Sequence, residues 1–479
     1  MQWRYTRKME MALMFRKHAV LCFAVFFVCI MVGCAEQEPS DRVVSEKPLA
    51  RINTSWMVGT LRASPDARRV AYATKAGHRT LVVVDGKEGK KYNGIGAAGP
   101  IFSANSQRVA YVAKVGDGWL VVVDGEEGKT YDDIGVGTLM FSADSQRVAY
   151  MAIMDGKKLM VVDGKEGKIY DGIGAGILFS ADSQRVAYGA RIGDKWFVVV
   201  DGKEGKKYDV LEADTLIFSA DSQRMAYGAR IGGRSLMVMD GKEGKKYDGI
   251  GAGSLIFSPD SKRVAYNAIV DNKMRVVVGG KEEKEYDGIL EGGTPIFSPN
   301  SQRVAYAAGL GDKKFVVVDG KEGKKYDSIG EGTLIFSPDS RQVAYGAKVG
   351  DKWLVVVDGK EGKEYYGIGE GSLVFSADSQ RVAYGAIVGD KMLVVVNGRE
   401  EKEYDGILAE ATPTFSPDSQ RVAYGAALGD KKFVVVDGKE GKKYYGIVKG
   451  AGIIFDSPDN LHYLALKGKS IYLVEETMK

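Results

Sequence analysis

The charged hexapeptide DGKEGK stands unchanged at Asp85, Asp163, Asp201, Asp240, Asp319, Asp358 and Asp437, and appears as DGEEGK, GGKEEK and NGREEK from Asp124, Gly279 and Asn397. Two glycines among charges, behind a run of valines, suggest a phosphate cradle, and the carboxylates suggest a calcium loop. Neither spacing holds. A phosphate loop needs G-x-x-x-x-G-K-[ST], and the nearest approach, Gly128-Lys129-Thr130, requires glycine where Val123 stands. The loop also joins two strands, whereas phosphate is drawn to the N-terminus of a helix. Around Asp319 and Glu322 the cations Lys321, Lys324 and Lys325 crowd the same turn, and no D-x-D-x-D-G pattern occurs, so these charges read as a solvated turn. No cofactor or metal is expected.

Catalytic groups are scarce. The only histidines are His18, His78 and His462, so a histidine triad or multi-histidine metal site requires chain closure to bring His78 and His462 together. No G-x-S-x-G elbow is present. Carboxylate pairs occur in every copy of the loop, whereas a catalytic pair should be singular. The chain is expected not to be an enzyme.

The elements that carry these loops repeat. Segments opening at Phe102, Phe141, Phe179, Phe218, Phe257, Phe297, Phe336, Phe375, Phe415 and Phe455 recur every 38 to 40 residues, with a degenerate first copy, ASPDARRVAYA, from Ala63. Eleven copies of a 40-residue unit without a helical stretch point to propeller blades. Residues 333–368 divide into TLIFS (strand a), a turn at SPDSR, QVAYGA (b), a turn at KVGD, KWLVVVD (c), a turn at GKEG, and KEYYGI (d). Strand c is apolar on both faces, as a strand sandwiched between sheets must be. The recurrent tyrosines, Tyr345 and Tyr365 in this copy, are expected between blades with their hydroxyls at a wet edge.

The phrases FSPDSQRVAYGA (415–426) and IFSPDSKRVAYNA (256–268) resemble the WD-like repeat of TolB-type β-propellers, over residues 51–479. The resemblance implies an all-β propeller of about eleven four-stranded blades and no particular activity, because unrelated functions use this blade. Most copies depart from the family's Ser-Pro-Asp-Gly in having serine in the last place, as at Ser301, Ser340 and Ser419.

The N-terminus differs from the rest. Residues 1–33 hold Arg4, Arg7, Lys8, Arg16 and Lys17 against Glu10, and without them the chain carries 62 basic and 62 acidic residues. A neutral body with interspersed signs lacks the footprint of a nucleic-acid binder. The basic start and the apolar run AVLCFAVFFVCIMVG (19–33) fit a secretory signal, shorter than the roughly 20 residues of a spanning helix. MVGC (31–34) resembles the lipobox of bacterial lipoproteins, which implies cleavage after Gly33 and lipid on Cys34. Met14, before FRKH, would make a tidier signal start than Met1. All three cysteines, Cys22, Cys29 and Cys34, lie in or beside this segment. Ala35 after the cysteine, by the sorting rule of Gram-negative lipoproteins, implies the outer membrane, on its periplasmic face or at the cell surface. Residues 34–50 read as a flexible tether.

Since propellers usually have 4 to 8 blades, two abutting rings are favoured over one large ring. The C-terminal piece IIFDSPDNLHYLALKGKSIYLVEE supplies only strands a to c, so a strand near LARINTS, at the start of the repeats, is expected to complete its blade. Turns a–b and c–d share one face. The other face varies between copies, and the residues opening strand c include Trp119, Trp196, Trp353, Met274 and Met392. These five are candidate contact residues for an envelope protein or glycan; the alternative is that the tryptophans simply cap blade edges. The expected function is a non-enzymatic, lipid-anchored scaffold, and the alternative is a propeller enzyme or metal-dependent lectin using acidic groups of the central channel.

Overall fold

The computed structural model describes residues 41–53, 55–290 and 294–479; the signal segment 1–33 and Cys34 lie outside the described residues. From Arg42 the chain builds eleven antiparallel sheets, numbered here as blades 1 to 11 along the sequence from Arg62. Blade 3 is representative. Its inner strand comes in two pieces, Asp133–Ile134 and Met140–Phe141, both paired with Val148–Met154; Lys157–Val162 follows, and Lys165–Tyr170 is the outer strand.

The hairpin between the third and outer strands is tighter than expected. Asp358 (φ 48°) and Gly359 (φ 78°) both have positive φ, the signature of a two-residue type I′ turn, and Lys360 and Glu361 already pair with Val357 and Val356. The expected four-residue turn GKEG is therefore half strand, Lys360 and Glu361, and only Gly359 belongs to the turn. A Cβ on the second glycine, Gly362, would stand 3.1 Å from the Val355 carbonyl oxygen, so that glycine lets the outer strand pass close to its neighbour. The expected strand KEYYGI is also divided. Tyr365 still bridges to Trp353 in blade 8, whereas Gly367–Ile368 begins the inner strand of blade 9.

The core lies between blades. Fully buried alanines in the second strand, such as Ala149 and Ala152, let the sheets approach, and the valines and leucines of the third strand fill the space. Each pair of consecutive blades shares one hydrophobic cluster, and one more packs Leu464, Ile471 and Leu473 of blade 11 against Tyr72, Leu81 and Val83 of blade 1. A row of eleven sheets has only ten junctions; the eleventh closes one ring. The two abutting rings expected from usual blade numbers are thus replaced by a single ring, because the same packing continues through every junction.

Closure uses a strand placed in the expected tether. Arg42–Arg51 pairs along its length with Ser470–Met478 and is the outer strand of blade 11, so residues 42–50 are not a free linker. Burial holds it: the Arg42 guanidinium donates to Glu476 at 2.7 Å with both side chains fully buried, and the Tyr463 hydroxyl donates to the other Glu476 oxygen at 2.7 Å.

Ten junctions repeat the same contacts. A tyrosine ending the outer strand meets the next blade's tyrosine edge to face, as Tyr131 meets Tyr150 with centroids 6.3 Å apart; such a pair contributes about 0.5–1.5 kcal/mol beyond its area. The Tyr131 hydroxyl is buried instead of wet. The reason is a rim of Lys–Glu bridges between blades, here Lys129 to Glu166 at 2.7 Å, with the ammonium also over the Tyr131 ring. The junction of blades 11 and 1 differs. There Arg68 binds Asp456 and Glu475, each at 2.9 Å, and the buried His462 ring bridges Asp456 and the Asp66 carbonyl, both at 2.7 Å.

Candidate functional site: the variable face of the ring

The two faces follow from the turns. Asp163, in a two-residue hairpin, accepts hydrogen bonds from the Val148 amide and Arg147, which places it beside the turn that opens the second strand. Asp155, in the turn after that strand, donates its amide to Asp132, the residue leaving the outer strand of blade 2. The first group of turns forms the uniform face and the second the variable one.

On the variable face the residue after the outer-strand tyrosine normally has a structural duty. Asp171 accepts the Gly193 amide of blade 4 at 2.7 Å and the Lys157 ammonium of blade 3 at 2.5 Å, so it ties two blades together. Lys157, then the Gly193 amide, hold its carboxyl below the usual aspartate range. Asp209, Asp248, Asp287, Asp327 and Asp405 repeat both contacts.

Two copies break this rule. Tyr366 and Tyr445 occupy the aspartate position and are 60% and 59% exposed. Lys352 and Lys431, whose counterparts bind aspartate elsewhere, lie over these rings. An exposed ring capped by an ammonium offers stacking and hydrogen-bond donors in one place. Neither tyrosine was singled out from the sequence; the readable signal was the loss of Asp after Tyr365 and Tyr444 in an otherwise regular register.

The five candidates expected from the sequence are spread around the ring. Trp119, Trp196 and Trp353 are half-buried in blades 2, 4 and 8, with the cationic groups of Lys114, Arg191 and Lys348 5.6, 5.8 and 6.0 Å from the ring centroids. Met274 packs against the cluster between blades 6 and 7, and Met392 is the second residue of the third strand of blade 9. Only Trp353 and Met392 are drawn near one another: Trp353 pairs with Tyr365, the Tyr366 amide donates to the Ile387 carbonyl, and Ile387 pairs with Met392. Trp353, Tyr366 and Met392 thus mark one sector of the face, while Trp119, Trp196 and Met274 stand on separate blades.

Two other regions carry functional residue types. Inner-strand pairs such as Val374–Phe375, Thr414–Phe415 and Ile454–Phe455 are partly exposed and line an apolar concavity toward the central channel. Ring closure does not bring the histidines together. His78 sits in the turn after Val70–Ala76, whereas His462 bonds to Asp66 in the turn before that strand. Among the described residues no group of three or more His, Cys, Asp or Glu side chains is placed to hold a metal ion.

No family model and no curated protein matches the chain. Solved structures do match. A eukaryotic initiation factor shares 12% identity over 75% of this chain and 90% of that one, with a TM-score of 0.41. TolB from Acinetobacter baumannii shares 14% over 61% and 79%, with a TM-score of 0.25, and the Dos1 propeller 12% over 65% and 95%, with a TM-score of 0.32. By its own sheet topology the chain is an all-β propeller of eleven blades.

Proposed function

We propose that this protein is a non-enzymatic propeller of the bacterial cell envelope, held to the membrane by lipid on Cys34, that binds a protein or glycan through its variable face. The observation that carries the reading is the substitution of two interblade aspartates by exposed, lysine-capped tyrosines, Tyr366 and Tyr445, on a face whose other copies keep the structural contact. The uniform face spends its polar groups on holding blades together. Tyr366 lies beside Trp353 and Met392, which makes this sector the contact patch; aromatic anchors of this kind dominate binding energies. The anchor sets the location as the outer membrane, on its periplasmic face or at the cell surface.

Site-specific photo-cross-linking in intact cells tests the contact. A reactive residue at Tyr366 should trap one defined species, and one at Lys203 on the uniform face of blade 4 should not; equal trapping from both, or none from Tyr366, refutes the assignment. Replacement of Cys34 by Ala should release the protein from membranes, and retention would refute the anchor.

A further inference from the structure

On the uniform face an arginine begins the second strand of most blades and occupies a constant socket. In blade 2, Arg108 donates Nε to Asp124 at 2.7 Å and Nη1 to the carbonyls of Ser145 and Gln146 in blade 3, at 3.1 and 2.7 Å, and its guanidinium lies 5.3 Å from the Phe141 ring centroid. Carboxylate, two carbonyls and an aromatic face together satisfy a planar cation as an ammonium could not. Arg69, Arg147, Arg224 and Arg303 repeat the full set of contacts.

Blade 8 keeps the socket and lacks the arginine. The order Gln-Arg of other copies is reversed to Arg341-Gln342, which puts glutamine at the socket position. Asp358, the counterpart of Asp124, makes no described side-chain hydrogen bond or ion pair, whereas Asp124 uses both its oxygens. Phe375 is the counterpart of Phe141 and, among the described residues, no cation lies over it. The carbonyls of Ser379 and Gln380 receive no arginine. Arg341 cannot serve, because its side chain is 87% exposed and directed toward Asp339. Asp358 is itself exposed to solvent.

We infer that the junction of blades 8 and 9 is a binding site for a guanidinium group supplied from outside the blade, with Asp358 as its counter-ion, Phe375 as its stacking surface and the Ser379 and Gln380 carbonyls as acceptors. Gln342, shorter than arginine, swings aside to admit it. The ligand chemistry is that of an arginine side chain or a small guanidinium compound; an amine does not match two carbonyls and a carboxylate in one plane. This inference goes beyond the scaffold reading and does not depend on it, since the socket lies on the opposite face.

The test is direct binding by saturation-transfer NMR to the purified full chain, at millimolar concentrations of ethylguanidinium, acetyl-Gly-Arg-Gly-amide and the matching lysine peptide. Both guanidinium ligands should bind saturably and the lysine peptide at least about tenfold more weakly, as expected where charge-assisted, bidentate geometry decides. Tighter binding of the arginine peptide than of ethylguanidinium identifies a polypeptide source, and equal binding a free small molecule. Gln342→Arg, which restores the pattern of the other blades, should abolish binding, and Asp358→Asn should weaken it about tenfold. Unchanged binding by either variant, or equal binding of the lysine peptide, overturns the inference.

Discussion

The backbone amide of Asn105 in blade 2 donates a 2.9 Å hydrogen bond to the buried hydroxyl of Ser145 in blade 3. Ser145 has φ 66°, a left-handed conformation that favours glycine. Serine replaces the glycine of the TolB-like pattern here because only a hydroxyl reaches the preceding blade. The same bond links Asp144 to Ser183, Asp182 to Ser222 and Asp339 to Ser379. Ser145→Ala should keep the strain, remove a part-buried interblade hydrogen bond and lower stability by about 0.5–1.5 kcal/mol. Ser145→Gly relieves the strain and should cost less. Denaturant midpoints of the two variants check the order; a less stable glycine variant contradicts it.

Two sockets on the uniform face hold an arginine without its carboxylate. In the blade of Arg381 the aspartate position is taken by Asn397, which accepts the Val382 amide at 3.4 Å and leaves Arg381 Nη2 without a partner among the described residues, and in the blade of Arg263 it is taken by Gly279, whose φ of 57° matches the aspartates at this position in other blades. A Cβ at Gly279 would lie 3.6 Å from the Arg263 side chain, an ordinary contact. Asn397→Asp and Gly279→Asp should each raise the thermal midpoint, by up to about 1 kcal/mol in stability terms. A fall in midpoint would show that these positions are not equivalent to Asp124.

Acid should loosen the ring. Hydrogen bonds from lysine, first Lys90 to Glu127, Lys129 to Glu166 and Lys324 to Glu361, hold these carboxyls below the usual glutamate range. At the closing junction burial alone would raise Asp456, but hydrogen bonds from His462 and Arg68 outweigh it and lower the carboxyl. A depressed carboxyl stabilises the fold above its unfolded pKa, and that contribution is lost as pH falls through the folded value. The midpoint should therefore change little on these carboxyls' account from pH 5 to 7 and drop below about pH 4. Melting curves across that range test the expectation, and a midpoint rising toward pH 3 would refute it.

Arg42→Ala removes one partner of a fully buried ion pair and leaves Glu476 uncompensated, a change that costs about 3–5 kcal/mol. The closing strand should become exchangeable: hydrogen–deuterium exchange should speed up in 42–51 and 470–478 before blades 3 to 8 respond. Uniform acceleration around the ring would show that closure has no separate stability.

Blade number and the hairpin after each valine run were legible because they rest on local periodicity: Phe102 through Phe455 mark them without any knowledge of neighbours. Ring number was not legible. It depends on what Leu464 and Ile471 touch, and their partners Tyr72 and Leu81 lie nearly 400 positions away. The closing strand was hidden for a related reason, since RVVSEKPLAR shares no motif with the outer strands it imitates and takes its place through its ladder with Ser470–Met478 and contacts such as Arg42 to Glu476 and Glu46 to Tyr444, more than 390 positions away. The wet edge expected for the tyrosines failed because the lysine that covers Tyr131 pairs with a glutamate of the next blade. Tyr366 and the reversed Arg341-Gln342 were both visible as breaks in register, but their meaning required the contacts that their counterparts make.

The unlike junction between blades 11 and 1 has a consequence for how such a chain can change length. Any internal blade presents the same surfaces front and back, so a gene segment encoding one could be lost or copied and its flanking blades would still recognise each other. The ends are different. Arg68 and His462 fit only one another's surroundings, so they designate the first and last blades whatever number lies between, and the circle can be resized without being redesigned.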